Sequence, residues 1–454
     1  MIGLNKIGLN QVQLNRLRLN APFPTCRKMA GGGGSSDGFP QLPGDVTRWH
    51  FGGLTNEMMA AMDDPRIEDA DHKGRFLSFK NFAWKEGSGI SDVYPGALVF
   101  DGVDDWAGCD NLPLLPKEKG YSIIALRNWI TRYDATQYKR PLISNLDTND
   151  EGAFLIEYRK DENVNDVTGS YNSFTDVYID DNNPITWQTS SSYNGQIIKK
   201  GTSKSSNKLC ICKTYFGQLS NYANAAIWEI VILDHDATEE ELTKIKDYFV
   251  KTYPWLFPDQ AWTVVGKTNE DEDRATIANI TGNGNDLVCL NLGFIEGSGY
   301  NEEGEYAGYL VTDGVDDKIT SSTFEMGNDW TVIGDWELIN TGKKDNAGIV
   351  KFDSIVIYNY NPILINIKNG RNNLIPDQNT VNAICSDGRI YSKDWKESIY
   401  NEETESTSKN LLTIGYSGNS YTKIAFKNLA IYPTVLSKED CIKAYNYLQT
   451  LKAK

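Results

Sequence analysis

The chain has 454 residues, 11% of them aromatic, with 39 Gly, 24 Tyr, 11 Trp and only 3 His; 61 acidic against 45 basic residues leave a net charge of −16. A chain this long makes roughly two to four domains, and its Tyr, Trp and Gly content favours β structure with many turns. The acidic balance excludes a nucleic-acid-binding body, which phosphates would repel, and no run of about 18 apolar residues is present to span a membrane.

The first element is a pentad repeat. Residues 2–20 divide into Ile2-Gly3-Leu4-Asn5-Lys6, Ile7-Gly8-Leu9-Asn10-Gln11, Val12-Gln13-Leu14-Asn15-Arg16 and Leu17-Arg18-Leu19-Asn20. A period of five fits neither the helix nor the continuous strand. It suits short strands with a turn at each Asn, as in a β-solenoid or an interwound β-prism; a disordered tail with accidental regularity is the alternative. Four such units bury no core alone. Ile2, Leu4, Ile7, Leu9, Leu14 and Leu19, with Asn5 and Asn10 at turns, are therefore expected to dock on another chain or on copies of this one. Arg16 and Arg18 belong to a segment, residues 1–28, that carries +5 and no acid, which leaves −21 for the rest. Alternating Leu and Asn stand where a secretory peptide needs an unbroken apolar stretch, so ordinary export is not expected. Residues 1–29 thus read as a basic anchoring and oligomerisation arm, and 30–39, rich in Gly and Ser, as a flexible linker.

Beyond the linker the chain repeats itself at a lag of about 212 residues. Trp49 to Glu57 answers Trp262 to Glu270, and Asn81-Phe82 with Glu86-Gly87-Ser88-Gly89 answers Asn291-Leu292 with Glu296-Gly297-Ser298-Gly299. Asp101-Gly102-Val103-Asp104-Asp105 recurs identically as Asp313-Gly314-Val315-Asp316-Asp317, and Ile227 to Leu233 plus a helix answers Phe426 to Tyr432 plus a helix. Two homologous domains, 40–256 and 257–454, follow. Within each, short apolar runs such as Tyr121 to Leu126, Ala153 to Tyr158, Trp330 to Ile333 and Asn410 to Ile414 predict strands, separated by turn clusters such as Asp180 to Pro184 and Asn369-Gly370. Each domain ends in a predicted helix. Thr238 before Glu239-Glu240-Glu241 is an N-cap with acids in the first turn, and Leu242, Ile245, Tyr248 and Phe249 form its apolar stripe. Ser437 opens the second helix, with Ile442, Tyr445 and Leu448 as its stripe. The fold class is all-β: two tandem two-sheet sandwiches. The 7 cysteines, odd in number and without metal-ligand spacing, read as free thiols, and Cys210 and Cys212 as buried small hydrophobes on one strand face.

Ala97 to Asp105 and Tyr309 to Asp317, with the tail Leu412 to Gly415, Ile424 to Tyr432 and the helix start after Leu436, resemble the laminin-G-like, concanavalin A-type jelly rolls. The resemblance spans both repeats and implies their fold. Cys210-Ile211-Cys212 in place of the family's Ile-Gly strand, and a polar insertion around 160–206, depart from it. Proteins of this look, with tandem laminin-G-like modules, occur as virion appendages of tailed phages of Bacteroidetes.

Candidate chemistry is sparse. Asp101, Asp104 and Asp105, with Asp313, Asp316 and Asp317, offer clustered oxygens to Ca²⁺; as Asp-Gly turns they cap a strand end instead. Trp106, Trp187 and Tyr193 offer aromatic faces to sugar rings, or pack at the core or rim; Trp106 becomes Lys318 in the second repeat. Glu229 and Asp234 bracket a strand as a glycosidase pair would, but their second-repeat partners are not acidic. His50, His72 and His235 lack catalytic or metal-binding context. No catalytic residue and no cofactor are expected. The reading that unites these features is a non-enzymatic phage structural protein, a head or tail fibre or decoration subunit. Its arm would sit in a capsid or tail protein, the chain would self-associate as a trimer, and the domains would bind host-surface or environmental glycans weakly and multivalently. A secreted glycan-binding adhesin and a concanavalin-fold glycoside hydrolase are the alternatives.

Overall fold

The computed structural model describes the chain outside residues 1–36, 116–119, 132–138, 147–153, 160–171, 176–183, 190–205, 218–220, 340–347, 353–354, 359–363, 368–370, 375–380, 400–409, 418–419 and 454. The pentad arm, with every anchoring residue named above, lies outside the described residues, as does Tyr193.

Residues 42–454 form one compact unit. Its long strands sort by sequence into two pairs of sheets. In the N-terminal half one sheet runs Ile185–Thr189, Ser122–Thr131, Asn224–Leu233, Leu98–Asp101, Gly89–Ile90, with Val46–His50 also paired to Asn224–Leu233. Its partner sheet runs Asn172–Thr175, Phe154–Arg159, Lys139–Ser144, Leu209–Ile211, Trp106–Cys109, Phe76–Lys80, Arg66–Glu68. Trp49, Phe100, Ile123 and Ile230 of the first sheet pack on Leu77, Ala107, Ile143 and Ile211 of the second, which makes a β-sandwich core. The C-terminal half repeats the arrangement: Trp262, Val332, Phe426 and Ile431 face Leu287, Ile319, Val350 and Leu412 across the second core. The fold is an all-β sandwich, in agreement with the expected class.

The repeat in the letters is also a repeat in hydrogen bonds. Asn56 brackets Ile90, accepting from its N–H at 2.7 Å and donating to its C=O at 2.8 Å. Asn269 does the same to Tyr300, at 2.8 and 2.7 Å. The intervening glycines, Gly89 and Gly299, have φ of 147° and 157° and lie against those Asn side chains, so a Cβ at either would collide with the amide oxygen.

Among the described residues three α-helices accompany the sheets: α1 (Asn56–Ala60), α2 (Glu239–Thr252) and α3 (Lys438–Leu448). Thr238 caps α2 as expected and Glu241 completes a capping box. Ile245, Tyr248 and Phe249 of its stripe are buried, while Leu242 is half-buried. On α3 the buried face is Cys441, Ala444, Tyr447 and Leu448, whereas Ile442 and Tyr445 are only half-buried. The small side chains at 441 and 444 let α3 approach the sheet closely, so the buried face is rotated from the one that hydrophobicity alone predicts. Tyr447 meets Trp228 of the N-terminal half edge-on, ring centroids 6.1 Å apart. The six described cysteines are buried thiols. Cys210 lies on its strand, but Cys212 leaves it with a φ of 57°, where the second half has Gly415 at 77°.

Candidate functional site

The duplicated Asp-Gly turns are built alike. Asp101 Oδ1 accepts the backbone N–H of Val103, Asp104 and Asp105 at 2.8, 3.2 and 3.2 Å. Asp313 Oδ1 accepts those of Val315, Asp316 and Asp317 at 2.7, 3.3 and 3.4 Å. Asp105 and Asp317 reach back to the N–H of Asp101 and Asp313, and Asn81 and Asn291 each tie down a carbonyl of the turn. One carboxylate oxygen from each Asp comes within 4.8 Å of the others. A calcium ion takes six to eight oxygens, yet the first Asp of each trio is committed to three amides and the last is fully buried. The residues fit a self-capped turn better than an ion.

Burial, joined by the charges of Asp101 and Asp104, pushes Asp105 up to about 6 against the hydrogen bond from Ser88. The folded chain therefore holds a proton between pH 3.8 and about 6 that the unfolded chain has released. Stability from this group is full below pH 3.8 and falls as pH rises through about 6. Urea denaturation from pH 4 to 7 should show this decline steeper in the parent than in Asp105→Asn, which has no charge to lose. Equal slopes in the two proteins would refute it.

Glu229 is not placed to act on a substrate. It is fully buried beneath α2, paired with Arg48 Nη1 at 2.8 Å, and accepts from Tyr253 at 2.9 Å and Tyr248 at 3.3 Å. Asp234 is occupied by the Asp45 N–H at 2.9 Å and by His235. The carboxylate pair behind the hydrolase alternative is thus structural.

Trp106 does sit in a concave site. The Phe76–Lys80 strand alternates: Leu77 and Phe79 enter the core, while Phe76, Ser78 and Lys80 face outward. Beside it Trp106 and Gly108 face the same way from the next strand, and Phe216 approaches from the loop beyond Leu209–Ile211. Together they line a groove of about 340 Å³, rimmed by Asp64, Arg66 and Asp110. Phe216 meets Trp106 edge-on at 5.6 Å, and both rings close over Gly108, where a Cβ would fall 2.6 Å from the indole and 2.9 Å from the phenyl ring. The missing side chain at Gly108 is what lets the two aromatics lie down on the sheet. Lys213 places its ammonium 4.1 Å from the indole centroid.

The second half keeps this contact with its partners exchanged: Lys318, in the place of Trp106, stands over Tyr416, in the place of Lys213, at 5.2 Å. Trp187 belongs to the opposite sheet, on the strand paired with Ser122–Thr131, so the fold does not bring it to Trp106. Phe76, Phe216 and Lys213 escape sequence reasoning. Phe76 alone left a local signal, an aromatic at the outward position of an alternating strand.

No protein-family profile matches the chain, and no curated protein matches it. Among solved structures it is similar to a Trypanosoma rangeli sialidase in complex with sialic acid, at 8% identity and TM-score 0.30 over 49% of this chain and 41% of that one. It is similar as well to the botulinum neurotoxin type G receptor-binding domain, at 12% identity and TM-score 0.26 over 41% and 50%. The binding domain of Paraclostridial Mosquitocidal Protein 1 matches at 13% and 0.26 over 41% and 51%. The chain spans about half the length of the structures it matches, and TM-scores this low do not establish a common fold.

Proposed function

We propose that the protein is a non-enzymatic glycan-binding appendage of a tailed-phage particle, tethered by residues 1–29 and binding saccharides in the Trp106 groove. The observation that carries the binding half is the groove itself: outward aromatics on a rigid sheet, ringed by polar and charged side chains, match the apolar face and hydroxyl rim of a sugar ring. The arm's basic pentads, its separate charge and the resemblance to virion appendages support the tether. Copies on one particle would multiply weak single-site affinity into useful avidity.

Trp106→Ala should weaken binding to an array of bacterial surface polysaccharides at least about tenfold, the worth of one lost aromatic platform, with an unchanged circular dichroism spectrum. Retained binding would remove the groove from the reading. Separately, deletion of residues 1–30 should abolish incorporation into particles while leaving polysaccharide binding intact, and assembly at normal copy number would refute the tether.

A further inference from the structure

We infer that the groove selects acidic saccharides, with the sugar ring against Trp106 and its carboxylate or sulfate taken by Lys213 and Lys208; this rests on the groove being a glycan site. The first support is a local reversal of charge. The chain beyond residue 28 carries −21, yet four cations, Arg66, Lys80, Lys208 and Lys213, gather on the groove's rings and rim against Asp64 and Asp110.

How those cations are partnered is the second support. Arg66 and Lys80 share the single carboxylate of Asp64, at 3.8 and 3.4 Å, in exposed pairs that hold weakly. Lys208 lies over Phe216 at 5.1 Å, and its ammonium reaches the Asp110 carbonyl at 3.4 Å rather than a carboxylate. Lys213 is 5% exposed, and its ammonium rests between the Trp106 ring at 4.1 Å and the Tyr222 ring at 5.8 Å, with no carboxylate beside it among the described residues. Burial lowers its pKa, so desolvation already weighs against the charged form. Ring faces stabilise such an ammonium only in part. An anionic substituent on a sugar stacked at Trp106 would complete it, and a neutral sugar would not.

The full chain would be titrated at low salt with polygalacturonate, heparin, neutral dextran and poly-L-glutamate. Polygalacturonate or heparin should bind at least tenfold more tightly than dextran, lose that advantage as salt is raised, and lose it again in Lys208→Gln and in Lys213→Met. Lys208 is a surface residue, so its variant reports even if Lys213→Met folds poorly. Dextran bound as tightly as the acidic polymers, and lost in Trp106→Ala, would overturn the selectivity and leave the glycan site standing. Poly-L-glutamate bound as well as polygalacturonate would show attraction to charge without sugar recognition, and would overturn it too. Binding of none of the polymers would overturn both readings.

Discussion

Glu229→Ala is expected to lower folding stability by about 3–5 kcal/mol, because it leaves the Arg48 guanidinium charged, buried and without its carboxylate. Arg48 and Glu229 have exposures of 1% and 0% and lie between a sheet and α2. Tyr248 and Tyr253 donate to the same carboxylate, so the loss removes the acceptor of two hydroxyls as well as the partner of a cation, although Tyr248 Oη still accepts from Arg48 Nη1 at 3.1 Å. Replacing both charges with apolar residues of like volume, Arg48→Met with Glu229→Leu, should recover much of the loss, since a buried pair is costly to break and cheap to exchange. Urea denaturation of the two variants checks this. A single variant within 1 kcal/mol of the parent would show that water reaches the pair. In the second half the matching position is Asn428, fully buried, its amide unpartnered among the described residues.

Trp228→Ala is expected to cost about 3–5 kcal/mol as well, through the cavity left by the largest side chain, and to loosen one half from the other. Trp228 is fully buried, donates from Nε1 to the Pro95 carbonyl at 2.9 Å, and carries the edge-on contact with Tyr447 of α3. Other described contacts cross here as well: Tyr432 Oη donates to the Trp255 carbonyl at 3.0 Å, Asn446 donates to that of Asp92 at 3.4 Å, and Lys443 Nζ lies 4.4 Å from the Trp255 ring centroid. Calorimetry should give one cooperative transition for the parent and a broadened or divided one for Trp228→Ala. One sharp transition at an unchanged midpoint would place the coupling elsewhere.

Features governed by neighbours in the chain were legible in the letters. The turn at Asp101 to Asp105 closes within five residues, the Thr238 cap within four, and each is recognisable by composition. Of the stripe of α3 only Leu448 was, because the rest of its face is set by what approaches: Cys441 and Ala444 are small enough to pack closely against the sheet, and Tyr447 is drawn to Trp228. The loss of Trp106 at Lys318 looked like the loss of a shared contact. The Lys213–Trp106 pair reappears as Lys318–Tyr416, an exchange across two strands that a one-to-one alignment cannot register.

By itself the sequence determined the β class, the internal duplication, the turn chemistry and the division of charge between residues 1–28 and the rest. These follow from periodicity, composition and short-range hydrogen bonding. Only the tertiary structure decided that Glu229 is a sealed structural charge and that Trp187 and Trp106 lie on different sheets. It alone gathered Phe76, Trp106, Lys213 and Phe216 into one groove. Sheet order is set by long-range pairing and by which faces bury each other, and in the groove it brings together Phe76 and Phe216, 140 positions apart, a separation across which no local pattern in the chain carries information.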